Sequence, residues 1–87
     1  MIGQNVFISE RGRIPDYLGR ITKIIKNTVY FKPYRAIDEY FLNDKTLVIK
    51  YERDIGHCEM TCPKSFIMPI KVYDNGIDDL VFIGKNF

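Results

Sequence analysis

Alternation of apolar and polar residues predicts that this chain folds mainly into β-strands. The clearest pattern runs from residue 17 to residue 34, where two alternating segments flank Lys26 and Asn27. A two-residue turn there pairs the segments as a hairpin, in which opposed residues share a face. A three-residue loop would invert the faces on one strand, so the assignment depends on the turn. The preferred register makes one face apolar, with Ile24, Val29 and Phe31.

The other face of this hairpin combines cations with aromatic rings. It carries Lys23, Tyr30, Lys32 and Tyr34, with Ile21 and Ile25 among them. Cations beside flat rings suit single-stranded nucleic acid, because the cations neutralise phosphates and the bases stack on the rings. The alternative is an ordinary solvated face, which antiparallel sheets commonly present.

A first strand and a polar loop precede the hairpin. Val6 and Ile8 alternate with their neighbours, which favours a strand. Residues 10–16 then form a polar loop that contains glycine and proline. Its Arg11 and Arg13 are binding candidates, because loops on a rigid scaffold often carry function.

A short helical segment is predicted after the hairpin, over residues 35–43. Ile37, Tyr40 and Phe41 recur at helical spacing, and acidic residues stand where a helix N-terminus favours them. One or two turns are too short to be stable alone, so this segment should pack its apolar stripe on a sheet.

A second hairpin is predicted between residues 47–51 and 58–62, which alternate with the same period. An even-length connection places the apolar residues of both strands on one face, whereas a three-residue loop would oppose Lys50 and Met60. The resulting pairs are Leu47 with Cys62, Ile49 with Met60, and Tyr51 with Cys58.

A third hairpin is predicted at Asn75-Gly76, the strongest short-range turn signal in the chain. It sets Ile70 opposite Val81 and Met68 opposite Ile83. The other face is only half polar, which indicates partial cover or contact with a partner. That face holds Pro69, Lys71, Tyr73, Leu80 and Phe82.

Three hairpins and a leading strand predict an all-β, mainly antiparallel fold, a small closed or nearly closed barrel in a single domain over residues 1–87. The segments 19–24 and 29–34, GRITKI and VYFKPY, resemble SH3-like barrels of the Tudor or KOW kind, over about residues 17–42. The resemblance implies binding of nucleic acid or peptide without catalysis. Arg35 follows Tyr34 where Tudor domains normally have glycine, so a cage for methylated ligands is not expected. One core is predicted from Ile24, Phe31, Leu47, Ile49, Met60, Ile70 and Val81.

His57, Cys58 and Cys62 form the only cluster that resembles a metal site. A structural zinc site needs four ligands, and neighbouring residues of a strand point to opposite faces. The same opposition separates a Cys-His nucleophile pair. We therefore expect no metal, no cofactor, no catalysis and two buried free thiols.

The charge distribution and the composition limit the classes of partner that this chain could bind. Residues 1–36 hold seven Lys and Arg residues against two acids, and the remainder holds six against nine. This asymmetry fits either a polyanion site or two surfaces that pair on folding. No apolar run approaches the roughly 18 residues of a membrane span, so a cytoplasmic protein is expected.

Two functions remain open from the sequence. Isoleucine, lysine, asparagine and tyrosine are frequent whereas alanine occurs once, a bias common in short reading frames of phages and low-GC bacteria. The first expectation is therefore a phage-type or mobile-element accessory factor that docks on a host protein. The alternative is a nucleic-acid-binding module, whose binding residues would be Arg11, Arg13, Lys23, Tyr30, Lys32 and Tyr34.

Overall fold

The computed structural model describes residues 2–12, 14–53, 58–72 and 80–84. These residues are mostly strands, which confirms the all-β class. No helix among them is long and apolar enough to cross a membrane. The elements are β1 (Asn5–Ile8), β2 (Tyr17–Ile25), β3 (Thr28–Pro33), β4 (Ala36–Phe41), β5 (Leu47–Tyr51), β6 (Met60–Pro63), a 3₁₀ turn (Lys64–Phe66) and β7 (Leu80–Gly84).

The strands form two antiparallel sheets. The first has the order β1-β2-β3-β6, and the second has the order β4-β5-β7. Within the described residues the two sheets do not join into a closed barrel, so the SH3-like resemblance is not confirmed. The edge strand β1 bonds further to the segment after β6, where the Ser9 N–H donates to the Phe66 carbonyl and the Met68 N–H to the Phe7 carbonyl, both at 2.8 Å. Among the described residues, β4 is the edge strand of the second sheet on one side.

The central hairpin forms with the predicted turn. Lys26 and Asn27 connect β2 to β3, and Lys26 has a φ of 54°, in the left-handed region. The first three pairs also match the prediction: Ile25 with Thr28, Ile24 with Val29, and Lys23 with Tyr30.

Beyond these pairs the predicted register is wrong by one residue. An irregularity between Ile21 and Lys23 leaves Thr22 as an extra residue on β2, and Ile21 stands opposite Phe31. A bulge of this kind reverses the faces of the residues that follow it. Ile21 thereby leaves the polar face and is buried beside Phe31, both 1% exposed.

The first sheet is covered on both faces, so the buried residues form two clusters and not the single predicted core. One face carries Val6, Ile8, Ile21, Val29, Phe31 and Cys62, with Phe66 and Ile67 packed against them. The opposite face joins the second sheet through Phe7, Leu18, Tyr34, Leu47, Ile49, Tyr51, Met68, Leu80 and Phe82. The rings of Phe7 and Phe82 meet edge to face, with their centroids 5.1 Å apart.

The predicted helical segment over residues 35–43 is wrong, because Ala36–Phe41 is strand β4 paired with β5. The connection passes through Lys45, whose φ of 62° closes the turn, and the Leu42 N–H donates to the Thr46 carbonyl at 2.8 Å. A partner strand satisfies the backbone along this segment, whereas one or two helical turns would have no stability of their own.

The second and third predicted hairpins do not form as predicted. β5 pairs with β4 and β7, while β6 pairs with β3 through Val29 opposite Cys62. Residues 68–72 belong to no strand. Val48 and Ile49, on opposite faces of β5, are 5% and 4% exposed, so a central position between two strands suits β5.

Leu80 and Phe82, on the face predicted to be partly covered, are buried, and the prediction that Val81 and Ile83 face the core is wrong. The Leu80 and Phe82 side chains are 0% exposed and lie in the cluster between the sheets. Val81 is half-buried and Ile83 is 39% exposed, so the face predicted for the core points outward. The cause is the partner strand, since β7 adds to β5 and its register follows from that pairing. Tyr73 and the turn at Asn75-Gly76 lie outside the described residues.

Phe31 and Ile70, both predicted in the core, differ in burial and should respond differently to truncation. Phe31 is 1% exposed and Ile70 is 37% exposed. We expect Phe31→Ala to lower the free energy of unfolding by about 3–5 kcal/mol, because it leaves a cavity. Ile70→Ala should cost less than about 1 kcal/mol. Urea unfolding of both variants measures the difference, and equal losses would contradict this assignment of the core.

Candidate binding surfaces

Strand β4 is the most exposed of the described strands, and every one of its six residues is exposed. With Leu42 it presents four large apolar side chains, which we call the β4 surface: Ile37 (45% exposed), Tyr40 (37%), Phe41 (61%) and Leu42 (49%). Tyr40 stands opposite Val48 and Phe41 opposite Leu47, so these neighbouring rings point to opposite faces of the sheet and expose apolar surface on both sides of its edge. Several large apolar side chains exposed along one edge segment suggest an interaction site, whereas single exposed apolar residues are common on any protein.

The edge position of β4 explains this exposure. Among the described strands, β4 pairs with β5 on one side only, and β5 separates it from β7. The Glu39 N–H donates to the Asp38 carboxylate Oδ1 at 2.9 Å, so this backbone donor is already satisfied. Edge strands with satisfied or charged positions resist the addition of another strand. The side chains of β4 are thus better placed to make contacts than its backbone.

On the outer face of the second sheet, a row of apolar residues starts from Tyr40 of the β4 surface. Tyr40 stands opposite Val48, and Val48 stands opposite Ile83 on the next strand. Lys50, in the neighbouring row, places its Nζ 5.8 Å from the centroid of the Tyr40 ring. Apolar side chains therefore cross all three strands of this sheet, from the exposed Tyr40 through Val48, which is only 5% exposed, to the exposed Ile83.

A second candidate surface lies on the first sheet and is basic. It comprises Arg20, Lys23, Tyr30 and Lys32, and we call it the basic strip. The Lys23 Nζ lies 4.3 Å from the centroid of the Tyr30 ring, within the range of a cation–π contact. The bulge sets Arg20 directly opposite Lys32. Among the described residues, neither cation forms an ion pair.

The other predicted binding residues do not join the basic strip. Tyr34 lies on the same face as Lys32, but it is 4% exposed, since the second sheet covers that end of the face. Its hydroxyl lies 2.7 Å from the Asn5 Oδ1, to which it donates a hydrogen bond. Arg11 is exposed in the loop before Tyr17, and Tyr17 itself lies about 20 Å along β2 from Lys23 by the rise per residue. Arg13 lies outside the described residues.

Sequence reasoning missed two parts of these surfaces. Arg20 was assigned no role, because the bulge that brings it opposite Lys32 leaves no clear signal in the alternating pattern. The β4 surface was hidden by the helical spacing of Ile37, Tyr40 and Phe41. The turn residues Asn43-Asp44 were the available signal for a hairpin at this point.

The two thiols have different surroundings, so the expectation that both are buried is wrong. Cys62 is buried and Cys58 is exposed. Burial raises the pKa of the Cys62 thiol. Burial, with a smaller contribution from the Glu39 carboxylate, also raises the pKa of the Tyr51 phenol. The described residues contain no group of three or more His, Cys, Asp or Glu side chains that could hold a metal ion, and His57 lies outside them.

The sequence matches no protein-family model, and comparison with curated proteins and with solved structures likewise finds no match. The candidate function therefore depends on the surfaces themselves.

The two cysteines should be alkylated at clearly different rates. Cys58 is exposed, whereas burial of Cys62 both blocks access and disfavours its thiolate, the reactive form. At pH 8, iodoacetamide should modify Cys58 first, and Cys62 should react at a comparable rate only in urea. Mass spectrometry of the time course measures both sites. Equal rates in the folded protein would contradict the burial of Cys62.

Proposed function

We propose that this chain is a non-enzymatic binding protein that docks on a protein partner through the β4 surface. The observation that carries the proposal is the complete exposure of β4, which presents Ile37, Tyr40, Phe41 and Leu42 to solvent. Aromatic side chains such as Tyr40 and Phe41 are enriched at the centre of protein interfaces, where they contribute most of the binding energy.

Contact through side chains fits this surface better than strand addition. The Asp38 carboxylate satisfies the Glu39 N–H, so a strand added along β4 would have to displace it. A partner with a concave apolar site avoids that cost. The composition of the chain supports a phage-type accessory factor, acting in the cytoplasm on a host protein.

Phe41→Asp should abolish capture of the partner. The bait is the purified protein, and the extract comes from cells that naturally contain the chain. Ile25→Asp is the matched control, because Ile25 is 47% exposed on the first sheet. A charge within an apolar interface should cost at least about 2 kcal/mol, or about thirtyfold in affinity. The captured protein should be retained by Ile25→Asp and be insensitive to nuclease.

Two results would contradict this docking site. One is capture of the same partner by Phe41→Asp at wild-type strength. The other is a dimer that forms in the purified protein and is lost in Phe41→Asp, as measured by analytical ultracentrifugation. That second result would assign the β4 surface to self-association.

Nucleic-acid binding is the second candidate, and the opposition of Arg20 and Lys32 favours it. Like charges directly opposite in a sheet are destabilising, and a bound phosphate would relieve the repulsion. Lys23 and the Tyr30 ring extend the same strip. This arrangement suits an unpaired strand, whose phosphates meet the cations while a base stacks on the ring.

Reversing two charges of the basic strip tests this candidate. Lys23→Glu with Lys32→Glu should abolish binding of single-stranded oligonucleotides, because both exposed cations would contact phosphates. The thermal midpoint should change little, since exposed charges contribute little to stability. In the wild type, affinity should fall steeply with salt, and Tyr30→Ala should weaken binding to single strands more than to duplex. Unchanged oligonucleotide affinity in the double variant would rule the strip out as the site.

A further inference from the structure

Two adjoining hollows on the first sheet share Tyr17 as a wall, and no residue of β4 lines either of them. The larger, about 440 Å³, is mainly apolar and is lined by Tyr17, Pro33, Tyr34, Cys58 and Met60. The smaller, about 150 Å³, shares Tyr17 and Met60 as walls. We call them the apolar hollow and the acidic hollow. Tyr17 is 39% exposed, so its side chain is accessible from solvent.

The acidic hollow combines aromatic rings with carboxylates. Tyr17, Phe31 and Phe66 line it together with Glu10 and Asp16. The ring centroids of Tyr17 and Phe31 are 5.9 Å apart, with the planes at 49°. Aromatic faces attract cations, and carboxylates add a direct charge interaction. No lysine or arginine of the described residues lines this hollow.

The two carboxylates of the acidic hollow come from a part of the sequence that is otherwise basic. Residues 1–36 contain seven basic residues and only two acidic ones, Glu10 and Asp16. Both acidic residues line this single hollow. A cationic ligand would meet its counter-charges here, whereas the basic strip on the other face of the same sheet would repel it.

Backbone and side-chain hydrogen bonds fix the loop that carries Glu10 and Asp16 before any ligand binds. The Asp16 N–H donates to the Ile8 carbonyl at 2.8 Å, and the Glu10 N–H donates to the Asp16 Oδ2 at 3.0 Å. The buried Ser9 hydroxyl donates to the Ile14 carbonyl at 2.9 Å and accepts the Gly12 N–H at 3.0 Å. A preformed site binds more tightly because less ordering is required on binding.

We propose that the acidic hollow binds the side chain of a lysine or arginine in an extended peptide, with a neighbouring apolar residue of that peptide in the apolar hollow. A cavity of about 150 Å³ accommodates a group the size of benzene, so the acidic hollow suits one side chain. The stem of the cationic side chain packs against Met60 and Phe66, and its charged head meets Glu10 and Asp16. The apolar hollow beyond Tyr17 distinguishes a peptide from a free amine. This site does not depend on the β4 surface.

Three probes test the charge and the peptide separately. They are acetyl-Leu-Lys-Leu-amide, the same peptide with norleucine in place of lysine, and n-butylammonium. In titrations followed by amide chemical shifts, the lysine peptide should bind about fivefold tighter than the norleucine peptide, as about 1 kcal/mol of cation recognition requires. It should also bind more tightly than n-butylammonium and should slow alkylation of Cys58, which lines the apolar hollow.

The matched variants are Glu10→Gln with Asp16→Asn, and Glu52→Gln as the control, since Glu52 does not line either hollow. The double variant should remove the fivefold preference for lysine and leave the norleucine peptide unaffected. The amide introduced by Asp16→Asn retains an oxygen that can accept the Glu10 N–H, so the fold should persist, and the single variants provide a second measurement. Equal binding of the lysine and norleucine peptides to the wild type would overturn the proposal, as would no binding at millimolar concentration. Binding of n-butylammonium as tightly as the lysine peptide would overturn the peptide as ligand.

Discussion

Two-sided burial of the first sheet is the constraint on which the rest of the structure depends. Leu18 points to one face of β2 and is 0% exposed, while Ile21 points to the other face and is 1% exposed. Each face requires its own cover. The 3₁₀ turn and Ile67 cover one face, and the second sheet covers the other at the end where Phe7 meets Phe82.

The bulge at Thr22 allows β2 to serve both clusters. Without it, strict alternation would put Ile21 on the face of Lys23 and Tyr30, where it would remain in water. With it, Ile21 packs beside Phe31, and Gly19 lies beneath the same ring. A Cβ at position 19 would lie 2.5 Å from the Phe31 Cδ2, so only glycine fits there without a shift of the ring. The bulge also opposes Arg20 and Lys32, which creates the basic strip.

The exposed surfaces follow from what the second sheet leaves uncovered. It covers the Tyr34 end of the first sheet and leaves the Lys23 end in water, so one continuous face is core at one end and basic surface at the other. Its own edge strand β4 has no neighbour beyond β5 among the described residues, and its large apolar side chains remain exposed. Protein docking and nucleic-acid binding would therefore use side chains of different sheets.

By itself, the sequence determined the all-β class, the central hairpin and its first three pairs, because period-2 alternation and a two-residue turn are local properties. It also identified Lys23, Tyr30 and Lys32 as neighbours on one face. Only the tertiary structure decided which distant strands pair, since β5 with β7 and β3 with β6 depend on burying both faces of a strand at once. The tertiary structure also decided that Tyr34 is buried and that β4 is exposed. The alternating pattern predicts which residues share a face, but it does not predict which other part of the chain covers that face.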